Sequence, residues 1–424
     1  MKQKETLNST GLLKKTTIIG VLLWIFIQLI LIYVFYDTPQ RSDQGVYLKI
    51  AQDCFDCGEW YPMRKHIYDA FIWAPGLINF FICQLKIFGT LKLNMFFNLL
   101  MNIAILYEVW WLAKRFFSIR TAYISVLCYC ILYSNSMIVL PAGTEIPFLF
   151  LALTSFCLCL SNKYWKLVVA GILFALANWI RPLTIIFLPV ALFYMFLKKY
   201  NWKSYPVLLI PFFSIIILIG TQTQSKIGYY VFQSSTSGVN LIMTANDKAY
   251  GGVATSLMGD TTNTCYIRNA QAYTFAQKDS IWRQRAIKWI KENPGQFGKL
   301  YLMKLGGLYI EDSWPDRPIL GGDGFIDKAA HNKVSKSSFI SRIFSMGLKS
   351  LVYYVILFFF VYAIAKHIKE LLSWKGFLLL ILLLGTLSTC IFSVSPRYHY
   401  PFLFVIIIWA AYGIETSLSK INKS

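Results

Sequence analysis

Long apolar runs alternate with short polar links along nearly the whole chain, and a run of about twenty apolar residues is what a helix needs to cross the hydrocarbon of a bilayer. That pattern predicts spans near 16–36, 93–113, 120–140, 146–161, 165–181, 183–198, 205–223, 349–366, 375–393 and 401–417. A further apolar stretch, Phe71 to Gly89, is interrupted by Pro75, Gly76, Gln84 and Lys86. If it crossed the membrane, Lys114, Arg115 and Arg120 would fall outside the cell. If it lies in the interface or re-enters, the basic clusters Lys14/Lys15, Lys114/Arg115/Arg120, Lys163/Lys166, Lys198/Lys199/Lys203 and Lys366/Lys369/Lys375 all become cytoplasmic. The second arrangement obeys the positive-inside rule and decides the expected topology. The expected fold class is an all-α polytopic membrane protein with about ten to eleven transmembrane helices and both ends in the cytoplasm.

This topology turns four polar regions outward: residues 37–92, the tight turn Pro141-Ala142-Gly143-Thr144-Glu145, the long segment 225–345, and Ser393 to Tyr400 before the last span. It divides the chain into an N-terminal transmembrane module (1–224) with a functional first loop (37–92), a small extracytoplasmic domain (225–345) between helices seven and eight, and C-terminal transmembrane helices (346–424). Tyr, Trp and Gly are interspersed through the long segment, which argues for order. Within it, Ser280 to Glu292 reads as a helix with Ser280 as cap and Asn293-Pro294-Gly295 as stop, followed by an amphipathic stretch from Gln296 to Ile310.

Composition supports the same class. The 424 residues are 56% hydrophobic and only 14% charged, where a soluble protein carries about a quarter charged residues. The formal charge of +21 lies in short clusters between apolar runs, so it belongs to topology and anionic lipid rather than to nucleic acid. Lys14 and Lys15 precede the first span without a small-residue cleavage site after it, the pattern of a retained signal anchor. No phosphate-binding glycine loop or Ser/His/Asp pattern stands out.

Acids are scarce inside the spans. Glu108 lies near a cytoplasmic end beside Trp110 and Trp111, where it can snorkel. The informative acids are external: Asp43, in Arg41-Ser42-Asp43-Gln44-Gly45-Val46-Tyr47, and Glu145. Each has two readings: a catalytic carboxylate at membrane depth or, for Asp43, the cap of the juxtamembrane helix that follows and, for Glu145, a residue that favours the dipole of the next helix. Arg181 and Arg397 sit at an external face that ordinarily excludes cations and so ask for an anionic partner, such as a lipid phosphate held by a guanidinium. Arg41, Arg64 and Lys65 lie outside as well, and for Arg64 and Lys65 interfacial anchoring is the stronger reading. Cys54-x-x-Cys57 is an external pair, a local disulfide or two free thiols, with His66 too weak a companion for a metal site. Cys128, Cys130, Cys157 and Cys159 read as packing residues.

In family order along the chain stand Arg41-Ser42-Asp43 with Tyr47 and Ala51, an aromatic-proline element ending in Phe88-Gly89, and Thr144-Glu145-Ile146-Pro147. They are followed by Arg181-Pro182-Leu183-Thr184, Trp289 to Gly295, and Arg397-Tyr398-His399-Tyr400-Pro401. This series resembles the GT-C superfamily of membrane glycosyltransferases, the group that contains protein O-mannosyltransferases and the bacterial aminoarabinose transferases of lipid A. The resemblance implies Asp43 as catalytic acidic residue, Glu145 as its partner, and Arg41, Arg181, Arg397, Tyr398 and His399 as substrate-binding groups. It implies transfer of a sugar from a polyprenyl-phosphate donor to a hydroxyl of a protein, lipid or glycan acceptor, with inversion, on the extracytoplasmic face of the cell (inner) membrane.

There are departures. Phe71 to Gly76 lacks the acid or base with paired prolines of many relatives, and Gln44 stands where many mannosyltransferases have a second acid, so dependence on a divalent metal stays open and no other cofactor is implied. The rival readings are a polyprenyl-linked glycan transporter or flippase and an envelope polysaccharide polymerase. Transporters place ionisable or unwound segments at mid-membrane and often repeat their halves, and neither feature is visible here. Polymerases share the large external loop and are the nearer rival.

Overall fold

A backbone in hydrocarbon must satisfy its own polar groups, and the apolar runs accordingly fold as helices. The computed structural model describes residues 2–64, 71–253, 255–321 and 335–421; Lys65 and His66 lie outside the described residues. Before the long polar segment come α1 (Lys2–Phe35), α2 (Ser42–Asp56), α3 (Pro75–Phe88), α4 (Asn94–Phe116), α5 (Ile119–Ile131), α6 (Tyr133–Met137), α7 (Glu145–Cys159), α8 (Tyr164–Ile180), α9 (Thr184–Leu197) and α10 (Ser204–Ile227). The segment itself holds α11 (Ser237–Ile242), α12 (Phe275–Glu292), α13 (Pro294–Tyr309) and α14 (Arg317–Leu320). The chain returns through α15 (Lys336–Lys349), α16 (Leu351–Lys366), α17 (Leu379–Thr389), the 3-10 turn Pro396–Phe402 and α18 (Leu403–Ile421). The described residues contain no strand; a single bridge pairs Gly252 with Val394.

Apart from 120–140, each expected span falls on one of these helices, but their lengths differ. Thr10–Phe35, Asn94–Phe116, Ser204–Ile227 and Pro396–Leu418 are long and apolar enough to cross a bilayer by themselves, and α15 with α16 forms a pair bent by 57° that passes as one. Shorter apolar helices, among them α3, α5, α7, α8 and α9, complete the bundle. The run expected as one span over 120–140 is broken at Leu132, whose ψ of 131° takes the chain out of the helical region. The stretch Phe71 to Gly89 contributes α3, which packs its buried residues Leu77, Ile78, Phe81 and Ile82 into the main core.

Polar side chains tie the two ends of the bundle. At the basic end Arg115 donates to the Leu160 carbonyl and the Tyr194 hydroxyl, both at 3.0 Å, and Ser118 donates to Glu415 across 2.8 Å. Glu108 does not snorkel: its side chain is buried and accepts a hydrogen bond from Thr154 at 2.5 Å, because the neighbouring α7 stands between it and the surface. Further along the bundle, Asn102 donates to Gln28 and to the Asn135 carbonyl at 2.8 Å. Such contacts fix helix register where lipid offers no alternative partner.

The long segment has a small core of its own, in which Ile242, Leu257, Ile267, Trp282, Ala286 and Trp289 are buried together. Its main helix begins at Thr274, not Ser280: the Thr274 hydroxyl accepts from Gln277 N while the Gln277 side chain accepts from Thr274 N, a reciprocal capping box. This unit is stitched to the bundle. Ser235 and Ser234 receive the Ile72 and Ala74 amides at 3.1 and 3.0 Å, and the Val394 amide donates to the Gly251 carbonyl at 3.2 Å. Residues 311–320 leave the unit and tuck against the bundle, where Ile319 packs with Ile32, Met95, Leu99 and Val139.

Candidate active site

Four charged side chains from four distant parts of the chain meet at the end of the bundle opposite Arg115. Arg397 Nη2 donates to Asp43 Oδ2 at 2.6 Å, and Arg181 Nη1 donates to Glu145 Oε1 at 3.1 Å. The two pairs are joined by Tyr398, whose ring lies 5.3 Å from each guanidinium carbon. Two arginines thus share one aromatic ring, each paired with a carboxylate, and the cluster is neutral as a whole.

Local structure explains each position. α1 ends at Phe35, and the chain then re-enters helix through Ser42, whose φ of 57° makes a sharp corner. Gly45 is required just after it, since a Cβ there would stand 2.5 Å from the Gln40 carbonyl oxygen. Asp43 consequently sits in the first turn of α2 and not at its cap, which is Arg41. Glu145 opens α7 after the Pro141 turn, and Gly143 makes room for it: a Cβ at 143 would be 2.5 Å from Glu145 Oε2. Gln40 holds the two loops together, donating to the Leu140 carbonyl at 2.9 Å and accepting from the Ala142 amide at 3.2 Å. Arg181 follows the end of α8 with an extended backbone, and Arg397 lies in the 3-10 turn before α18.

The carboxylates differ in access. The Asp43 side chain is 34% exposed, that of Glu145 only 2%. Asp43 is therefore open to solvent, whereas Glu145 is enclosed with Arg181. The Tyr47 hydroxyl lies among these charges. Desolvation, reinforced by the Asp43 carboxylate and opposed by Arg397, pushes this phenol far above its usual range, so it remains a proton donor. Beside it runs an aromatic wall: Tyr47 meets Trp73 edge-on at 6.3 Å, Trp73 stacks on Phe71 at 6.2 Å, and Phe71 touches Trp282 at 5.6 Å.

The remaining expected site residues are placed elsewhere. Arg41 reaches toward Gly321. His399 is completely buried and turned away from the cluster, its Nδ1 on the Leu308 carbonyl at 2.9 Å and its Nε2 3.3 Å from Asp312. A side chain with no accessible surface cannot bind a substrate directly. Cys54 and Cys57 are free thiols, the first buried and the second exposed. Sequence reading passed over Gln40 and the segment Glu311-Asp312-Ser313-Trp314-Pro315-Asp316-Arg317. There Glu311 pairs with Arg317 and Asp316 with Lys349, both acids 2% exposed. Its signal was four charges in seven residues.

Among the described residues no three His, Cys, Asp or Glu side chains gather at metal-binding spacing. Asp43 and Glu145 are each engaged by an arginine.

Residues 75–221 match the family model described as dolichyl-phosphate-mannose-protein mannosyltransferase, a GT-C family. The resemblance read from the motifs therefore holds over that stretch. No curated protein matches this chain. Among solved structures, the apo oligosaccharyltransferase of Archaeoglobus fulgidus aligns over 95% of this chain and 51% of its own at 13% identity and a TM-score of 0.49. The same enzyme in complex with Zn and sulfate aligns at 14% identity, 95% and 49% coverage and a TM-score of 0.49. ArnT from Cupriavidus metallidurans bound to undecaprenyl phosphate aligns over 93% of this chain and 77% of its own, at 14% identity and a TM-score of 0.38. The chain spans about half the length of the oligosaccharyltransferase. Likenesses at these scores describe neighbours and carry no inference about activity.

Proposed function

We propose that the protein is an integral-membrane glycosyltransferase that moves a sugar from a polyprenyl-phosphate donor to an acceptor hydroxyl at the extracytoplasmic face. The observation that carries this reading is the double ion pair: an accessible carboxylate, Asp43, beside two guanidiniums, Arg397 and Arg181, that share the Tyr398 ring. A base and two anion-binding groups at membrane depth are what displacement of a lipid phosphate needs. The family match over 75–221, whose printed description names dolichyl-phosphate-mannose, supports a lipid-phosphate donor.

In this reading the donor phosphate competes with Asp43 for Arg397. Once the guanidinium turns to phosphate, the Asp43 carboxylate is free to take the proton of the acceptor hydroxyl. The acceptor oxygen forms its bond to the anomeric carbon while the bond from that carbon to the phosphate oxygen breaks, with inversion. The electron pair leaves on the polyprenyl phosphate, whose negative charge Arg397 and Arg181 stabilise. Glu145, fixed against Gly143 and the Gln40 clamp, keeps Arg181 in place. Tyr47 supplies a hydroxyl that stays protonated near the reacting groups.

The test is purified protein in nanodiscs with polyprenyl-phosphate sugars labelled in the sugar, followed by release of polyprenyl phosphate with membrane lipids, peptides or glycans as acceptors. Sugar transfer with loss of the lipid-phosphate bond supports the reading. In proteoliposomes, movement of intact labelled donor across the bilayer without cleavage would instead establish the transporter.

A further inference from the structure

His399 is held on all sides. Its Nδ1 faces the Leu308 carbonyl at 2.9 Å, and because a carbonyl only accepts, Nδ1 carries a hydrogen. Its Nε2 lies 3.3 Å from Asp312 Oδ1, and both side chains have no exposed surface. The ring faces are covered by Tyr309, with centroids 5.6 Å apart, and by Tyr353 at 5.4 Å. Tyr353 in turn donates from its hydroxyl to the Tyr309 carbonyl at 3.2 Å. Among the described residues His399 Nε2 faces Asp312 alone, while the Asp312 carboxylate also has the Ser134 hydroxyl beside it. A buried carboxylate is tolerated only against groups that share its charge or its proton, so Asp312 relies on His399, with the Ser134 hydroxyl as a second partner.

We infer that Asp312 and His399 form a buried pair that sets the position of Arg397 and Tyr398, a role that rests on the glycosyl-transfer reading above. The link is the geometry of the turn. Residues Pro396–Phe402 form a 3-10 helix, in which three residues make a turn and successive side chains point about 120° apart. Arg397, Tyr398 and His399 therefore aim in three directions from one rigid turn. Anchoring the third inward on α13 and α16 fixes the rotation that brings the first to Asp43 and the second within 5.3 Å of both guanidinium carbons. The anchor comes from the end of α13 and the residues after it: Leu308 supplies the carbonyl, Asp312 the carboxylate, and the Asp312 amide is itself held by Ser350 Oγ at 2.9 Å. Asp312 and His399 are positioning residues; neither touches substrate.

The pair acts on the donor side, because Arg397 is the phosphate ligand and the acceptor meets Asp43. Asp312→Ala leaves Nε2 without a partner and lets the turn shift. Asp312→Asn can donate to Nε2 while Nδ1 keeps its hydrogen bond to Leu308. With purified full-length protein in nanodiscs and a polyprenyl-phosphate sugar donor, Asp312→Ala should raise the donor KM at least tenfold and lower kcat, with the acceptor KM within about threefold of wild type. Asp312→Asn should restore a donor KM within threefold. If Asp312→Ala does not fold, His399→Asn serves: it keeps an amide donor for Leu308, removes the atom facing Asp312, and should raise the donor KM in the same way. A folded variant with an unchanged donor KM overturns the inference, as does loss of activity that only follows loss of folded protein and is alike in Ala and Asn. A wild-type protein that cleaves no polyprenyl-phosphate sugar refutes the parent reading instead, so the two failures are told apart.

Discussion

Asp43→Asn separates the roles of the two charged pairs. The substitution keeps the shape of the side chain and removes both its basicity and its charge. A positioned general base supplies about 10² to 10⁴ in rate, so turnover should fall by at least ~10², close to 3 kcal/mol of transition-state stabilisation. The ion pair lost with Arg397 is 34% exposed on the Asp43 side and 24% on the arginine side. Solvent screens such a pair, and its loss should lower folding stability by no more than about 1 kcal/mol. Donor binding carries the discriminating sign. With Asp43 neutral, Arg397 no longer has to leave a carboxylate, and repulsion between that carboxylate and a phosphate about 8 Å away disappears. At an effective dielectric of about 20 to 40 this is worth roughly 1 to 2 kcal/mol, a gain of about five- to thirtyfold in affinity. The assay pairs single-turnover transfer with binding of undecaprenyl phosphate to the purified variant in nanodiscs. Near-normal turnover in a folded variant would make Asp43 a residue of the α2 first turn only. Donor binding weakened by the substitution would remove Arg397 from the phosphate site.

Arg397→Lys keeps the charge but loses the planar guanidinium that spans Asp43 and the Tyr398 ring, and should weaken lipid-phosphate binding by about 1 to 3 kcal/mol; unchanged affinity would refute the assignment. Glu145→Gln leaves Arg181, only 13% exposed, without its counter-charge. Thermal unfolding should reveal a loss of about 3 to 5 kcal/mol. Lys304 is 1% exposed, and burial holds its amine down to about 8. Because the unfolded chain binds that proton up to its ordinary, higher range, stability should rise as pH increases from about 8 toward 10 and be flat below 8. Lys304→Met should be more stable and lose that slope, and a wild-type stability that declines across this window would contradict it. Cysteines placed at Ser237 or Ser256 should react with an impermeant reagent from outside, and those at Ser161 or Asn201 should not; reversed labelling would move the whole site to the other face.

How far the sequence could be read depends on whether the physics is local. Apolar run length is a local property, and apart from 120–140 each expected span lies on a helix. Where a helix breaks inside an apolar run is not local in the same sense: Leu132 leaves helical geometry within residues as apolar as their neighbours. The start of α12 was within reach of sequence, since Thr274 with Gln277 three residues on is a capping box. Apolar periodicity is clearest from Ile281 onward, and that drew the boundary to Ser280. Glu108 carried a sequence signal for the interface, two adjacent tryptophans, yet the packing of α7 buried it.

The site divides along the same line. Charge rarity nominated Asp43, Glu145, Arg181 and Arg397 one at a time, because a charged group at the membrane boundary needs a reason whatever surrounds it. Which acid meets which arginine could not follow from that. Asp43 and Arg397 are 354 positions apart, and nothing in either neighbourhood specifies the other. Nor could sequence separate the exposed carboxylate from the buried one, since burial is the work of other elements: the Gln40 clamp, the Pro141 turn and the end of α8. His399 is the sharpest case. It adjoins Tyr398 in the chain and was grouped with it, but the 3-10 turn sends consecutive side chains in different directions, and Asp312, in a segment never singled out, receives it. What the chain determined by itself is the set of helices and the few charges that had to find partners, because hydropathy and desolvation act residue by residue. The pairing of those charges, their access to solvent and the direction of each side chain were decided only when helices remote in sequence packed together.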